Sequence, residues 1–573
     1  MCKKFLNPPT LTLFFVACGC SSPFQKPVIL NNELRIDTAL MASVLAEAET
    51  PLEFPLKGET AVEAELAGRR AELDALSPAV INKTNNLDLS TTLSAQDAII
   101  LTIQNNLDLE IASIQPTISA QAIVEAESAF DFIFGSTVSL GRNRTPQQNL
   151  PGNPFSSNEQ ASDTFGFDAQ LARQLSSGGT LTFSTGVNEI DNQTSDFIFT
   201  PNPAWNTSGS LNLNQPLMRN FGKPVATAQI NISKLVYGQA LEEFKLSLID
   251  TVTSVNLAYL DLALQWKILE VKKWLLNQGE SVVKILDLRR SYDTGESDYA
   301  QAVATVQQRH ADFISQKAMV HAASDKLKGF LNSQDFSIDS PKAIEPSTEL
   351  NPGAIKISLQ EAAVAAVANN PTLQSLVLGI DADDIRLQLA DNARLPQLDL
   401  QAQMSFGGLG DSASSGYEEV IDADFINYIT SLTLEVPLGN RDAEAKHEMQ
   451  RLQKLSSVAS YRKGVQQTIL AVKEALRNVA TNAELMKANR SYRVAQAENL
   501  RALLIEEQTM SGLTPTFLSL KLQTQNGLAS ARISEFTATA SFNKAISTLY
   551  KAMGTTLKMH QVVINPTQHH NRK

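Results

Sequence analysis

The sequence predicts an α+β membrane protein in two similar halves, each joining a very long helix to strands built for lipid. The first sign is self-similarity. Leu93 to Leu109 (LSAQDAIILTIQNNLDL) and Ile357 to Leu373 (ISLQEAAVAAVANNPTL) match at Ser94 and Ser358, Gln96 and Gln360, Ala98 and Ala362, Asn105 and Asn369, Asn106 and Asn370, Leu109 and Leu373. A repeat of this size implies an internal two-fold sequence arrangement of equivalent halves. The second sign is helix length. After Pro224 no proline interrupts the chain to Arg290, and none interrupts Asp442 to Thr509. Each stretch of about 67 residues spans ~100 Å as helix, too long for a globular core. The third sign is alternation at period two, as in Leu398 to Phe406 and Ser210 to Asn214, which turns one face apolar and the other polar.

Composition narrows the function. The chain has 573 residues and a formal net charge of −12. An acidic balance argues against a nucleic-acid partner, which needs a basic face. No run of ~20 apolar residues follows the N-terminus, so no membrane-spanning helix is expected and any crossing must use strands.

Residues 1–20 form a targeting segment. Lys3 and Lys4 precede the apolar Leu11 to Ala17, and small residues follow. The layout also resembles a bacterial lipoprotein signal, in which a cysteine becomes the lipidated first residue. Cys20, after the small Gly19, is the preferred position; Cys18 is the alternative, and cleavage without lipid is the third outcome. The leucine that such signals place three residues upstream is absent from both. All three cysteines lie in this segment, so disulfides, thiol catalysis and cysteine metal sites are excluded from the rest. Residues 21–92 are broken by Pro23, Pro27, Pro51, Pro55 and Pro78, and form an exported N-terminal extension.

Within the first long stretch, Leu241, Phe244, Leu248, Val252, Val255, Tyr259, Leu262 and Trp266 recur at threes and fours, an amphipathic stripe. Four shorter helical stretches are predicted at 94–128, 298–331, 358–394 and 514–553. Two short helices laid end to end match one long one. Pro116 is expected to kink or break the first of them. Strands are expected at 130–141, 164–175, 179–189 and 208–216, and again over Leu398–Phe406 and Ile429–Val436. Ser176 to Gly179 is a tight turn, whereas 142–163 and 190–207 are long polar connections. Short turns at one end and long loops at the other, around strands of ~10 residues, are the pattern of an outer-membrane barrel. The alternatives are a soluble sandwich and, for 164–189, a hairpin lying off the sheet.

Taken together, the order of these segments resembles the TolC-like outer-membrane efflux protein family. The matching residues are the paired openings, Arg394-Leu-Pro-Gln-Leu398 entering a strand, the strand exits Leu213-Asn-Gln-Pro-Leu217 and Leu434-Glu-Val-Pro-Leu438, and the glycine turns Tyr292 to Ser297 and Met510 to Thr514. The resemblance implies a homotrimer whose long antiparallel helices form one α-barrel, continuous with a shared transmembrane β-barrel in the outer membrane. It also implies a periplasmic extension, a periplasmic adaptor protein, and an inner-membrane pump or ABC exporter as partners. The function implied is the exit duct of a tripartite efflux system in a Gram-negative bacterium. The alternatives are the outer-membrane component of type I protein secretion and a non-transport periplasmic coiled coil. On this reading 93–331 is the first repeat, 332–356 a linker near the waist of the α-barrel, 357–555 the second repeat, and 556–573 a polar tail. The family usually has two strands per half. Four in the first half here would give six per chain and ~18 in a trimer.

No enzyme site is expected. The six histidines are scattered; His310 and His321 share a predicted helix, but no carboxylate or cysteine completes a site, so no metal and no cofactor are expected. Gly407-Gly-Leu-Gly410 follows a strand with no helix after it and is expected to be an outer loop. The resemblance places a gate at the turns around Asp293, Gly295 and Gly512. The family's acidic ring follows the second glycine by six and nine positions, where this chain has Leu518 and Lys521. Glu296, Asp298 and Lys521 are therefore expected to line the closed tip, the alternative being that Asp298 caps the returning helix.

Overall fold

The computed structural model describes residues 52–54, 90–146, 159–193, 200–291, 294–350, 355–509 and 514–562. The 1–20 signal with Cys18 and Cys20, most of the 21–92 extension, Asp293, Gly512 and most of the 556–573 tail lie outside them. The elements are β1 (Leu52–Phe54), β2 (Ser90–Leu93), α1 (Ala95–Asn105), α2 (Leu107–Glu127), β3 (Phe132–Pro146), β4 (Glu159–Gln174), β5 (Thr180–Asn192), β6 (Ala204–Pro216), α3 (Lys223–Ala226), α4 (Ala228–Arg289) and α5 (Glu296–Leu331). They continue as β7 (Ala343–Pro346), β8 (Ile355–Ile357), α6 (Leu359–Asn369), α7 (Pro371–Ala393), β9 (Gln397–Gly410), α8 (Ala413–Asp422), β10 (Phe425–Glu435), α9 (Arg441–Thr509), α10 (Pro515–Ala552) and α11 (Thr556–Met559).

Cap chemistry explains where the short helices start and break. Ser94 caps α1 by accepting from the Asp97 N–H at 3.1 Å. Ser358 caps α6 in a box with Glu361. Asn106 ends α1 and opens α2, accepting from the Leu109 N–H and donating to the Phe330 carbonyl. Asn370 stands between α6 and α7 in the same way, accepting from the Thr372 N–H and donating to the Thr468 hydroxyl. The break expected at Pro116 is not there: α2 runs through Pro116, and the interruption falls at Asn106. A proline removes one donor, but a capping asparagine in extended backbone offers the chain an alternative to the helical ladder.

The long helices α4 and α9 have 62 and 69 residues. α4 packs along α2 and α5, and across to α7 and α10; α9 packs on α7 and α10. The largest core cluster joins Leu248, Val252, Tyr259, Leu262 and Leu269 of α4 to Val320 and Leu327 of α5 and Ile344 of β7. At this level β2 and β7 pair in parallel. Tyr259, 1% exposed, donates its hydroxyl to the Leu93 carbonyl at 2.9 Å and accepts from the Thr348 N–H at 3.0 Å. Trp266 donates to the Ile344 carbonyl at 2.9 Å. Both strands are thus tied to α4. Tyr259→Phe removes both bonds, although the Leu93 carbonyl keeps the Ser347 N–H at 3.0 Å. It is expected to cost about 1 kcal/mol in a chemical unfolding titration, whereas Tyr237→Phe is expected to cost nothing measurable.

Six strands form one antiparallel sheet in the order β10-β9-β6-β5-β4-β3. The hairpin β4–β5, the segment at issue in the sequence, lies inside this sheet: β4 pairs with β3 and β5 with β6. Gly407 to Gly410 is a correction. These residues end β9, and a helix follows them at once, because Ser412 caps α8 with Ser415. Four glycine-rich residues hid a strand end whose missing side chains make room for that helix.

Candidate channel wall and helical tip

The sheet separates its side chains by chemistry. Register places Phe134, Leu171, Phe183, Leu211, Met404 and Tyr428 in one row on one face. The next row, on the opposite face, is Gly135, Gln170, Ser184, Ser210, Ser405 and Asn427. The polar face carries cross-strand bonds of its own, including Ser184 with Ser210 at 2.7 Å and Ser431 donating to Gln401. The apolar face is open to its surroundings: Leu140 is 82% exposed and Phe134 69%. A soluble monomer does not leave a contiguous apolar face of this size uncovered.

Charges bound the apolar face along the strands. Near the loop end, Arg142 grips Asp163 with two bonds of 2.7 Å. Near the helix end, Arg173 donates to the Phe130 carbonyl and stacks over the Phe132 ring at 4.7 Å. The stretch of β4 between Asp163 and Arg173 covers ~33 Å along the strand, which tilted gives about 25 Å, the height of a barrel's lipid-facing band.

Helix α8 lies on this apolar face, over β6 and β9. Tyr417 meets Thr185 through hydroxyls 3.1 Å apart, and Val420 packs over Gly209. A Cβ on Gly408 would collide with the Gly416 carbonyl, and one on Gly410 would stand 2.6 Å from the Gly416 nitrogen. Where α8 sits, the face is built from Gly209, Gly408, Gly410, Thr185 and Thr207 in place of Phe and Leu, so the groove is written into the sequence.

At the far end of the helices, α4 turns into α5. Arg290 binds Glu296 in a fork of 3.0 and 2.7 Å and lies over the Tyr299 ring. That fork holds the Glu296 carboxyl below its usual range. Gly295 is the N-cap of α5, and Asp298 stands in its exposed first turn, folded back toward Gly295. On the second hairpin Lys521 is largely buried and binds both oxygens of Glu507 at 2.8 and 2.6 Å. Leu518 is 1% exposed, packed with Leu522 against Val282, Leu286 and Ala302 of the first hairpin. Glu296 and Lys521 thus each answer a partner on their own hairpin, and Leu518 bolts the two hairpins together.

Sequence reasoning missed Arg309, about 20 Å above the tip along α5. It is 4% exposed and has no carboxylate partner among its hydrogen bonds. Its guanidinium donates to the Leu275 carbonyl of α4 at 2.8 Å, and to the Leu522 carbonyl and Asn526 side chain of α10 at 2.9 and 3.0 Å. Burial pulls its pKa down to about 10. A Cβ on Gly279 would stand 2.8 Å from this guanidinium, so glycine there makes space for it. The signal was present: Arg309 interrupts the apolar stripe Ala302, Val306, Val320, Leu327.

No family model and no curated protein matches this sequence. Solved structures do. A membrane protein from Pseudomonas aeruginosa matches over 80% of this chain and 93% of its own, at 17% identity and a TM-score of 0.57. The Campylobacter jejuni CmeC outer membrane channel matches over 81% and 86%, at 14% identity and 0.57. The Neisseria gonorrhoeae MtrE outer membrane channel, in its open state, matches over 83% and 96%, at 13% identity and 0.56. With its six-stranded sheet and its long paired helices, this chain has the fold of the TolC-like outer-membrane channels.

Proposed function

We propose that this chain is the outer-membrane exit duct of a tripartite efflux system, and that three copies pool their sheets and helices into one bore. The observation that carries this reading is the six-stranded sheet, apolar on one face, polar on the other, and unpaired at both edges among the described residues. Lipid does not tolerate open edges, and rotational symmetry removes them. The helices have matching open sides. Leu107, Ile111, Ile114 and Ile118 form an exposed stripe on α2, and Met449, Leu452 and Leu455 form another on α9. α2 continues from β3 and α9 from β10, so the same two sides of the protomer are unfinished in both layers. Closure gives ~18 strands around a bore lined by Asn, Gln, Ser and Thr.

The two halves are proposed to be the equivalent repeats, and the tips the place of gating. Opening is a helix-packing transition in which the second hairpin leaves the first, separating Leu518 from Leu286 and releasing Arg309. A periplasmic adaptor docking between the tips drives it, with an inner-membrane pump or ABC exporter behind. Asp298 remains free to meet the solute.

Planar-bilayer conductance of the purified chain tests this. The wild type is expected to insert and conduct poorly. Lys521→Asp sets a carboxylate against Glu507 and is expected to raise conductance severalfold, while Asp298→Asn lowers cation preference. No conductance under any condition sinks the duct; a wild type that conducts with neither variant altered removes these residues from the gate.

A further inference from the structure

The unpaired edges of the sheet also specify how they meet. We propose that β3 of one copy pairs with β10 of the next in a register set at the loop end by Arg144 against Asp422 or Asp424 of the neighbour. The inference rests on the trimeric closure proposed above and goes further, to the strand pair that seals it.

Direction and parity narrow the choices. Strands alternate in direction across the six, so β10 and the next β3 run antiparallel. β3 carries Phe132, Phe134, Val138 and Leu140 on the apolar face, and β10 carries Tyr428, Leu432 and Leu434 there. A slip of one residue would set apolar against polar, so only registers two apart survive. Setting Phe132 against Leu434, the positions nearest the helices on that face, brings Arg144 beside Asp422 at the end of α8. The next allowed register brings Arg144 beside Asp424.

The charges fit that placement. Arg142 is held by Asp163, whereas Arg144, whose charge also acts on Asp163, makes no hydrogen bond or ion pair among the described residues. The side chains of Glu418, Asp422 and Asp424 likewise have no hydrogen-bond or ion-pair partner among the described residues. Residues 395 to 440 contain no lysine or arginine at all, so this edge is acidic with no cation of its own. β3 outruns β10 at the loop end, carrying Arg144 to where α8 descends into β10. A guanidinium meeting either carboxylate holds the pair to these two registers against further slippage.

Two measurements on the full chain test this. In the first, trimer survival on heating in detergent is followed on semi-native gels. The wild type is expected to run as a trimer, and Arg144→Glu to lower the surviving fraction at least tenfold at a temperature where the wild type is intact. Asp422→Arg with Asp424→Arg does the same, and combining all three restores most of it. In the second, Ser136→Cys is paired with Thr430→Cys, Leu432→Cys or Ser431→Cys and oxidised, with each single variant as control. Linked dimers and trimers are expected from 430 or 432 and not from 431. A trimeric wild type with both charge variants unaffected, or linkage through 431, overturns the register while the duct stands. A monomeric wild type overturns both.

Discussion

Phe167→Arg is expected to abolish stable insertion of this protein into lipid vesicles, while the next residue, changed as Asp168→Arg, inserts normally. Phe167 lies midway along the apolar stretch of β4, between Val138 and Val187 of the neighbouring strands. A guanidinium at the lipid midplane costs ~2–4 kcal/mol per chain, three times over in the proposed trimer. Asp168 faces the other way, among Thr, Asn and Gln, where an arginine remains in water. Its expected effect is on selectivity: the bore of the proposed trimer would lose a ring of carboxylates and gain a ring of guanidinium groups, shifting preference toward anions. Urea unfolding in vesicles reads the first effect, and reversal potentials across a bilayer read the second. Equal losses from both changes would mean that the two faces do not divide lipid from water.

Arg309→Ala is expected to destabilise the helical region by ~3 kcal/mol and to raise basal conductance. It deletes bonds that tie α5 to α4 and α10, and leaves an empty space beside Gly279. Arg309→Met keeps the volume and removes the cost of burying an uncompensated cation, so its loss of stability is expected to be smaller. Its conductance is expected to rise just as much, since either change frees the second hairpin. The pH signature separates charge from packing. A base whose folded pKa lies at about 10 is charged in both folded and unfolded chains below about pH 9, so the wild type and Arg309→Met are expected to differ by a constant amount there. Above about pH 10 the folded chain releases this proton before the unfolded one does, so this group's contribution to stability improves with rising pH. Thermal melts at several pH values check both statements. A difference that changes steeply between neutral and mildly alkaline pH would contradict the assignment.

The large elements were legible because they are periodic. Apolar stripes at threes and fours gave the long helices, and alternation gave six strands, including the hairpin that departs from the usual pattern of the resembling family. What escaped was local and depends on contact. Asn106 breaks a helix that Pro116 does not, and only the carbonyl of Phe330 shows that the asparagine is anchored there. Helix α8 escaped because Gly407 to Gly410 looks like loop, whereas its glycines are the floor on which Gly416 rests. At the tip, the sequence offered Glu296, Asp298 and Lys521 as charges lining the closed end, without showing which groups they meet. Arg290 and Glu507, which answer two of them, lie six and fourteen residues away, across turns whose geometry no periodicity fixes.

The additional hairpin β4–β5 also sets the calibre of the proposed conduit. Four long helical columns leave the sheet from each protomer, and at about 10 Å apiece they occupy an arc of about 40 Å. Six strands at 4.8 Å, tilted by about 40°, cover about 38 Å. Four strands would cover only about 25 Å, and the passage would pinch where membrane meets periplasm. With six, the membrane section of the proposed conduit matches its helical section in girth, and no shoulder interrupts the passage.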